Sequence, residues 1–377
     1  MKPLVILAAG GTGGHVFPAE ALAAALLARG YRLGLITDMR GEAYGGTLGD
    51  ITNWRVRAGG ILGRGTLAKA RALIDLMIGT LQARGILKAE QPACVVGFGG
   101  YASVPGMWAA TQLGIPAVVH EQNAVLGRAN RLLAARVGAI ATSFDHVEGV
   151  PPEAVKLVET CGMPVRTAIQ QARGEAYASP QESGRFRLLV LGGSQGARVF
   201  SDVIPEAVKR LPRGHLERLE LTQQCRPEDL ERTRAAYDGL GVNADLASFF
   251  DDVPARLNRA HLVIARAGAS TMAELTTLGR PAILVPYPFA ADDHQSANAH
   301  ALDDVGGGWL IESDHFSPET LCARLQSLME TPATLEKAAA CAAAAGKPEA
   351  AENLADLVER MTGADRGETP KEKTETD

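Results

Sequence analysis

The chain has 377 residues, of which 46% are hydrophobic, 5% aromatic and 21% charged, and its formal net charge is −5. This length predicts two or three domains with sizeable cores, and the negative charge gives the chain as a whole no electrostatic footprint for nucleic acid. The five cysteines are never spaced C-x-x-C, which favours reduced thiols over a disulfide framework or a zinc site. No apolar run suits a signal peptide or a spanning helix, so we expect any membrane contact to be peripheral.

The first part of the chain alternates short apolar strands with helices. We predict strands at Leu4–Ala9, Arg32–Thr37, Ala93–Gly97, Ala117–His120 and Ala139–Ala141, and helices at Pro18–Arg29, Ser103–Leu113 and Leu126–Ala135. Strands separated by helices pair in parallel through right-handed crossovers. A parallel sheet covered by helices on both faces is therefore expected.

After the polar segment Arg173–Arg185, which we predict to be a linker or a surface excursion, the same pattern starts again. Strands are predicted at Arg187–Leu191, Glu217–Thr222, Leu262–Ala265 and Ala282–Val285, and helices at Ala197–Arg210, Glu228–Tyr237, Ser270–Leu278 and Gln295–Asp303. The sequence thus predicts an α/β fold of two Rossmann-like doubly wound domains that face each other across a cleft.

Domain boundaries follow from this repetition. We place the domains at 1–165 and 166–345, a C-terminal helix at 346–363 that packs back toward the first domain, and a disordered charged tail at 364–377. Ligands of such folds bind beyond the carboxyl ends of the strands, so we expect the active site in the cleft.

The first strand leads into the glycine turn Gly10–His15. Glycines allow close approach of a ligand to the backbone, and the amides at the start of the next helix attract anions. The turn lacks both the G-x-G-x-x-G fingerprint and a Walker A lysine, so Asp38, at the end of the second strand, only resembles the ribose-binding acid of a dehydrogenase. A tight turn without a ligand is the alternative interpretation.

Two further glycine turns follow strands, at Gly97–Tyr101 and at Gly192–Ala197. In the latter, Ser194, Gln195 and the following amides are candidates to bind a pyrophosphate. Three such turns in one chain favour two phosphate-bearing substrates.

Polar clusters also follow predicted strands. His120–Asn123 is either a part of the site or a cap for the next helix, and Glu274, one turn into a helix, is either a ribose ligand or a solvated acid. Gln295 and Asn298 are spaced to share one helix face, where neutral amides suit sugar hydroxyls.

Two pairs of acids precede helices, Asp251-Asp252 and Asp292-Asp293. Paired carboxylates are candidate metal ligands, but the position just before a helix favours N-cap residues. We therefore predict no metal site.

Together these segments resemble glycosyltransferase family 28, the UDP-GlcNAc-dependent transferases of peptidoglycan synthesis. The matching segments are Gly10–Pro18, Gly97–Tyr101, His120–Asn123, Pro164–Arg166, Gly192–Ala197, Phe249–Asp252 and Asp293–Gln295. The resemblance implies the GT-B fold, an inverting mechanism, no cofactor and no tightly bound metal. Met163 and Phe250 depart from the family's usual residues, which puts packing beside the uracil in doubt.

The resemblance also implies an activity and its residues. The expected reaction transfers GlcNAc from UDP-GlcNAc to the MurNAc 4-hydroxyl of undecaprenyl-pyrophosphoryl-MurNAc-pentapeptide (lipid I), giving lipid II. The implied substrate-binding residues are Thr12, Gly13, Gly14, Asn123, Arg166, Ser194, Gln195, Gly196, Phe250, Ala269, Ser270, Thr271, Glu274, Gln295 and Asn298.

His15 is the best candidate for the base that activates the acceptor hydroxyl, because the usual pKa of histidine lies near neutrality. The alternative is that His15 only positions phosphate or sugar. Other interpretations of the whole chain are another GT-B transferase with a lipid acceptor, a UDP-GlcNAc 2-epimerase, or a nucleotide-sugar-binding scaffold.

An apolar helix with basic flanks suggests where a membrane would bind. Ile74, Met77, Ile78 and Leu81, with Trp108 nearby, are its predicted contacts, and anionic lipid suits such a pattern. An ordinary core helix is the alternative. We therefore expect a peripheral protein on the cytoplasmic face of the cell membrane, with cell-wall and division proteins as further partners and no nucleic acid.

Overall fold

The strands form two parallel sheets, each covered by helices. The computed structural model describes residues 2–11, 13–39, 46–59, 66–193 and 196–363. One compact unit, called unit 1, comprises Met1–Gln122, Leu126–Pro164 and the chain from Glu349 onward; unit 2 comprises Val165–Pro348 and the short segment Asn123–Val125.

The sheet of unit 1 has seven strands in the order β3-β2-β1-β4-β5-β6-β7. They are β1 (Leu4–Ala8), β2 (Arg32–Asp38), β3 (Thr52–Val56), β4 (Cys94–Gly97), β5 (Ala117–Glu121), β6 (Ala139–Thr142) and β7 (Val158–Thr160). The central strands are buried along their whole length, as expected where helices cover both faces of a parallel sheet.

The sheet of unit 2 has six strands in the order β10-β9-β8-β11-β12-β13. They are β8 (Phe186–Leu191), β9 (Leu219–Gln224), β10 (Asn243–Ala247), β11 (Leu262–Ala265), β12 (Ala282–Leu284) and β13 (Gly308–Leu310). Every pairing in both sheets is parallel. The two parallel α/β units confirm the predicted fold class.

Most of the helices lie between consecutive strands, and the last three follow β13. They are α1 (Gly13–Ala28), α2 (Gly46–Asp50), α3 (Thr66–Glu90), α4 (Gly100–Gln112), α5 (Arg128–Leu133), α6 (Thr167–Ala172), α7 (Arg198–Lys209), α8 (Arg213–Leu216), α9 (Leu230–Tyr237), α10 (Val253–Arg259), α11 (Ala269–Leu278), α12 (His294–Asp303), α13 (Pro318–Glu330), α14 (Pro332–Ala345) and α15 (Ala350–Thr362). None of these helices, within the described residues, is long and apolar enough to cross a membrane.

The sequence analysis missed four strands, β3, β7, β10 and β13, and these are the four edges of the two sheets. An edge strand has a partner on one side only and is less completely covered. Strands β3 and β10 accordingly carry exposed polar residues in place of an apolar run. Apolar runs therefore identify the centre of each sheet and not its edges.

The start of α1 also differs from the prediction. The helix begins at Gly13, so Gly13, Gly14 and His15 form its first turn, and Pro18 lies inside the helix. Proline has no amide hydrogen, so the carbonyl of Gly14 receives no helical hydrogen bond from residue 18. The glycine turn is consequently shorter than predicted, and His15 sits on a helix.

The polar segment predicted as a linker or surface excursion is tied to unit 2. The Tyr177 hydroxyl donates to the carbonyl of His261 at 2.9 Å, and Arg218 Nε donates to the carbonyl of Gly184 at 2.7 Å. Beneath Tyr177 lies Arg280, which is only 1% exposed. Side-chain bonds to the backbone thus hold an otherwise irregular segment.

Helix α15 belongs to unit 1, where it contacts α1. Arg29 on the C-terminal side of α1 pairs with Glu352, Asp356 and Glu359, at 2.5, 2.6 and 2.8 Å. Leu354 and Val358 of α15 are fully buried, so the helix closes the core of this unit. The predicted tail at 364–377 lies outside the described residues.

Candidate functional site

In unit 1, polar and glycine residues gather at the carboxyl ends of three neighbouring strands. Gly10 and Gly11 follow β1, Gly99 and Gly100 follow β4, and Gln122 follows β5. In the sheet, β2 lies on one side of β1 and β4 lies on the other. The order of the strands therefore reverses between β1 and β4, which is the topological switch point. Ligands of open α/β sheets bind at such a point.

His15 is held beside the second glycine turn. Its Nδ1 lies 3.2 Å from Oε1 of Gln122. A Cβ added to Gly100 would lie 3.3 Å from the ring of His15, and Gly99 and Gly100 have φ of 77° and 67°. Glycine at these positions therefore permits both the left-handed backbone and the close approach of the imidazole.

A second histidine completes a chain of hydrogen bonds in unit 1. Gln122 Nε2 lies 3.0 Å from both Nδ1 and the carbonyl oxygen of His120, and His120 Nε2 lies 2.9 Å from the carbonyl oxygen of Gly162. His120 is fully buried, and burial lowers its pKa from 6.5 to about 4. His120 is thus a neutral imidazole at physiological pH.

The neighbouring acid has a different role. Glu121 Oε2 accepts from the amide of Gly127, the N-cap residue of α5, at 2.9 Å, and from Nδ2 of Asn130 at 2.8 Å. Within the His120–Asn123 cluster, Glu121 thus supports the start of a helix, as the alternative interpretation expected, while Gln122 contacts His15.

In unit 2 the corresponding switch point lies between β8 and β11. The turn after β8 is tight: a Cβ added to Gly192 would lie 2.5 Å from the amide nitrogen of Ala197, and Gly193 and Gly196 have φ of 83° and 69°. Ser194 and Gln195 of this turn lie outside the described residues, as does Thr12 of the first turn.

Helix α11 follows β11 and begins with Ala269, Ser270 and Thr271, which are half-buried. Its N-cap residue is Gly268, whose lack of a side chain leaves no cap for the helix. The first amides of a helix have no intrahelical acceptor. They therefore present donors and a positive dipole end to an anion.

Glu274, on the next turn of α11, is paired with Arg166. Arg166 donates from Nε and Nη2 to Oε1 of Glu274 at 2.9 and 2.6 Å. The carboxylate is 12% exposed, and burial raises its pKa while Arg166 opposes that rise. Glu274 is thus not the solvated helix acid of the alternative interpretation.

Gln295 and Asn298 differ from the predicted pair of sugar ligands. Asn298 is fully buried, and its side chain accepts from the amide of Ala124 at 2.8 Å and donates to Asn123 Oδ1 at 3.1 Å and the carbonyl of Ala267 at 2.9 Å. These bonds use its oxygen and both hydrogens. We therefore correct its predicted role: Asn298 anchors the segment Asn123–Val125 and does not itself face a sugar.

Gln295 is half-buried at the start of α12. Its Oε1 accepts from the amide of Tyr287 at 2.9 Å, so the oxygen of the side chain is turned toward Tyr287. This amide remains suited to donate to a hydroxyl.

Phe250 is 7% exposed and lies under Arg256, whose guanidinium carbon is 4.1 Å from the ring centroid. Arg256 in turn pairs with Asp252 at 2.6 Å and with Asp245. The Phe250 ring is thus packed in a cation–π contact with Arg256.

The paired acids adopt the positions but not the bonds of N-caps. Asp252 and Asp293 are the N-cap residues of α10 and α12, yet neither side chain accepts from a helix amide. Arg256 instead bonds Asp252 and lowers its pKa, and Ser296 donates to Asp293 at 2.9 Å. Over the ranges described by the structure, no three His, Cys, Asp or Glu side chains cluster as metal ligands.

The predicted membrane contacts divide into two groups. Ile74, Met77 and Leu81 of α3 are 56%, 60% and 68% exposed and lie along one face of the helix. Ile78 is half-buried, and Trp108 of α4 is half-buried with Arg136 4.9 Å above its ring. The exposed apolar face consists of the first three residues together with Leu73.

Two functional candidates escaped the prediction as individual residues, His120 and Gln122. Residues two apart on a strand point to the same face, so their spacing across the end of β5 could have indicated that they act together. The contribution of Gly162 had no sequence signal, since it arises only where the chain after β7 returns beside β5.

Comparison with known proteins finds matches over most of the chain. Residues 5–142 match the glycosyltransferase family 28 N-terminal domain, and residues 187–354 match the glycosyltransferase family 28 C-terminal domain. A protein of Paramagnetospirillum magneticum named UDP-N-acetylglucosamine--N-acetylmuramyl-(pentapeptide) pyrophosphoryl-undecaprenol N-acetylglucosamine transferase is 64% identical over 95% of this chain and 96% of its own. A protein of Rhodospirillum rubrum with the same name is 57% identical, over 94% and 91%. The crystal structure of MurG from Acinetobacter baumannii superposes with a TM-score of 0.78 at 30% identity, covering 95% of this chain and 99% of the other.

Proposed function

Because the chain belongs to glycosyltransferase family 28, we infer that it is a UDP-GlcNAc-dependent hexosyltransferase of peptidoglycan synthesis. It transfers GlcNAc from UDP-GlcNAc to the MurNAc 4-hydroxyl of undecaprenyl-pyrophosphoryl-MurNAc-pentapeptide. The observation that carries this function is the 64% identity to a transferase of that name over 95% of the chain.

Unit 2 is proposed to bind the donor. The amides that begin α11 and the glycine turn after β8 lie at adjacent strand ends, a setting that suits a pyrophosphate. Glu274 offers its second oxygen, Oε2, to the ribose diol, because Arg166 bonds Oε1. The turn residues Ser194 and Gln195 and the Gln295 amide complete the proposed donor contacts.

The backbone amides of the turn after β8 and of the start of α11 would stabilise the leaving group. As the bond between the anomeric carbon and UDP breaks, negative charge develops on the pyrophosphate. Backbone amides fixed by the fold stabilise that charge without reorganising, and one lost donor costs about 3 kcal/mol in comparable sites.

Unit 1 is proposed to activate the acceptor through His15. The acceptor oxygen attacks the anomeric carbon from the face opposite UDP, its proton passes to His15, and the product is a β-1,4 link. Gly13 and Gly14 share the first turn of α1 with His15. Replacing His15 by Ala should cut turnover by about 10² or more if it is the base.

A transfer assay with labelled UDP-GlcNAc and a lipid I analogue tests this function. Formation of a labelled lipid II analogue is the expected result. Formation of ManNAc without acceptor would instead indicate an epimerase, and nucleotide-sugar binding without turnover would indicate a scaffold. Either result would contradict the proposed transfer.

We also propose that the protein works at the cytoplasmic face of the cell membrane, as a peripheral protein. The exposed apolar face of α3 supports this, since its four residues are each more than half exposed. Arg71 and Lys88 on the same helix are exposed, and basic residues beside an apolar face favour anionic lipid. A lipid-linked acceptor would then be met at the surface where it resides.

A further inference from the structure

A buried hydrogen-bond chain in unit 1 runs from the backbone of Gly162 to the proposed base. Its members are His120, Gln122 and His15, with contacts of 2.9, 3.0 and 3.2 Å in that order. We propose that Gln122 and His120 are positioning residues that fix the tautomer of His15, with hydrogen on Nδ1 and the basic lone pair on Nε2. This inference rests on the proposed function only where it concerns catalysis.

The chain has one consistent arrangement of hydrogens, and it starts at Gly162. A carbonyl oxygen only accepts, so His120 must carry hydrogen on Nε2 to bond it. His120 is neutral because burial opposes its charged form, and its Nδ1 is therefore an acceptor.

Gln122 then has a single favourable orientation. Its Nε2 faces two acceptors of His120, Nδ1 and the carbonyl oxygen, both at 3.0 Å. Exchanging the amide nitrogen and oxygen would set oxygen against both acceptors, and an unmade buried bond costs about 1–3 kcal/mol. The amide oxygen of Gln122 consequently faces His15.

The contact between Gln122 and His15 fixes the tautomer of His15. Oε1 of Gln122 only accepts, so the hydrogen of the neutral imidazole resides on Nδ1. Nε2, the nitrogen beside Gly100, is left as the basic atom. A base so prepared takes the acceptor proton on Nε2, and the resulting imidazolium keeps its Nδ1–H bond to Gln122.

In the part of the chain that the structure describes, the Gln122 amide contacts two titratable groups, His15 and His120. Glu121, the carboxylate next to both His120 and Gln122 in sequence, bonds Gly127 and Asn130 through Oε2. The constraint on His15 is therefore a neutral amide, oriented by a neutral histidine.

Wrong-tautomer substitutions are costly when the base is held by such a partner, up to about 10⁴-fold in serine proteases. For Gln122→Leu we expect at least about a tenfold loss of kcat, with KM for UDP-GlcNAc unchanged, because the donor site is in unit 2. Gln122→Glu still presents an acceptor to Nδ1 of His15, but its other oxygen faces the two acceptors of His120. It should therefore retain more activity than the leucine variant and less than wild type.

The direct test is a long-range ¹H–¹⁵N NMR spectrum of the ¹⁵N-histidine-labelled full chain without substrate, at a pH where His15 is neutral. The His15 signals are assigned by their loss in His15→Asn. We expect wild type and Gln122→Glu to show hydrogen on Nδ1, and Gln122→Leu to show a mixture of both tautomers. Asn53→Leu, which removes an amide that donates to the backbone carbonyls of Leu48 and Ile51, is the control and should leave the His15 signals unchanged.

A wild-type His15 with hydrogen on Nε2 would overturn the proposal, and so would a Gln122→Leu variant with wild-type tautomer and kcat. If Gln122→Leu does not fold, the wild-type and Gln122→Glu spectra still decide. Because the tautomer is measured without substrate, the result stands apart from the transfer assay: active protein with the other tautomer contradicts only this inference.

Discussion

Arg166 and Glu274 form a two-nitrogen, one-oxygen contact in unit 2, in which Nε and Nη2 of the arginine bond the same carboxylate oxygen at 2.9 and 2.6 Å. Arg166 opposes the rise that burial causes in the pKa of this mostly buried acid, and both of its contacts are to Oε1 rather than Oε2. The two residues predicted separately, one for the nucleotide and one for the ribose, thus act as a unit.

Replacing Arg166 by Ala should weaken UDP binding by about tenfold or more, since a hydrogen bond to a charged group contributes about 1.5–3 kcal/mol. Without the arginine, Glu274 gains protons more readily and is a poorer acceptor for a ribose diol. Titration calorimetry with UDP measures the effect. Arg210→Ala removes a surface pair with Glu206 and Glu319 and should bind UDP as wild type does; equal affinity of the Arg166 variant would contradict the assignment.

Asn298→Ala should lower the free energy of unfolding by about 1–3 kcal/mol, because the amide of Ala124 and the carbonyl of Ala267 lose a buried partner. Activity should fall as well, since Asn123 loses its anchor. Urea denaturation measures the change in stability, and the UDP-GlcNAc transfer assay measures the change in activity. Gln326→Ala, which removes an exposed bond to Glu330, is the control, and an Asn298 variant as stable as this control would show that the segment is held by other contacts.

The central strands of both sheets and their parallel pairing are readable from the sequence, because burial on both faces requires apolar runs. The edge strands β3, β7, β10 and β13 are not, because they lack that requirement. Asn298 shows a second limit. Its spacing from Gln295 places it on one helix face, but only the structure reveals that this position is buried against Ala124 and Ala267.

His15 shows the same limit at the site. Its residue type and its place after the first glycine turn suggest a base, and both are visible in the sequence. Its proposed orientation depends on Gly162, which lies far along the chain, just beyond strand β7. Long-range contacts of this kind decide the chemistry of a residue whose identity is already clear.

Stability should fall as pH drops from about 6.5 to 4. His120 and His261 are buried, and their pKa values are lowered by burial from 6.5 to about 4. A base whose pKa is lowered on folding contributes its full stabilisation of the folded state above pH 6.5. That contribution is lost as the pH falls from 6.5 to 4, because the unfolded chain takes up protons before the folded chain does. Each contributes up to about 3 kcal/mol at 1.36 kcal/mol per pKa unit.

The variant His120→Gln tests this directly. It cannot titrate, yet it can still donate to Gly162, so its urea-unfolding midpoint should fall less between pH 6.5 and 4.5 than that of wild type. If the unfolding midpoints of the two proteins fell equally over this pH range, His120 would titrate normally in the folded state.

Binding to anionic vesicles should depend on the apolar face of α3. Ile74→Ser/Leu81→Ser removes two side chains that are 56% and 68% exposed, so we expect at least about a tenfold loss of partitioning, at about 0.8 kcal/mol per buried CH₂. Flotation with phosphatidylglycerol-containing vesicles measures it.

The matched control for flotation is Leu132→Ser/Val155→Ser. These residues are also exposed, at 48% and 58%, and belong to unit 1 but not to α3. Equal flotation of both double variants would assign lipid binding to another surface.

We propose that unit 2 binds the nucleotide and that unit 1 supplies the base. A crystal structure with UDP shows where the nucleotide binds. We expect the pyrophosphate against the turn after β8 and the first amides of α11, with the ribose at Glu274. Nucleotide bound at Gly10–His15 instead, with the turn after β8 empty, would contradict it.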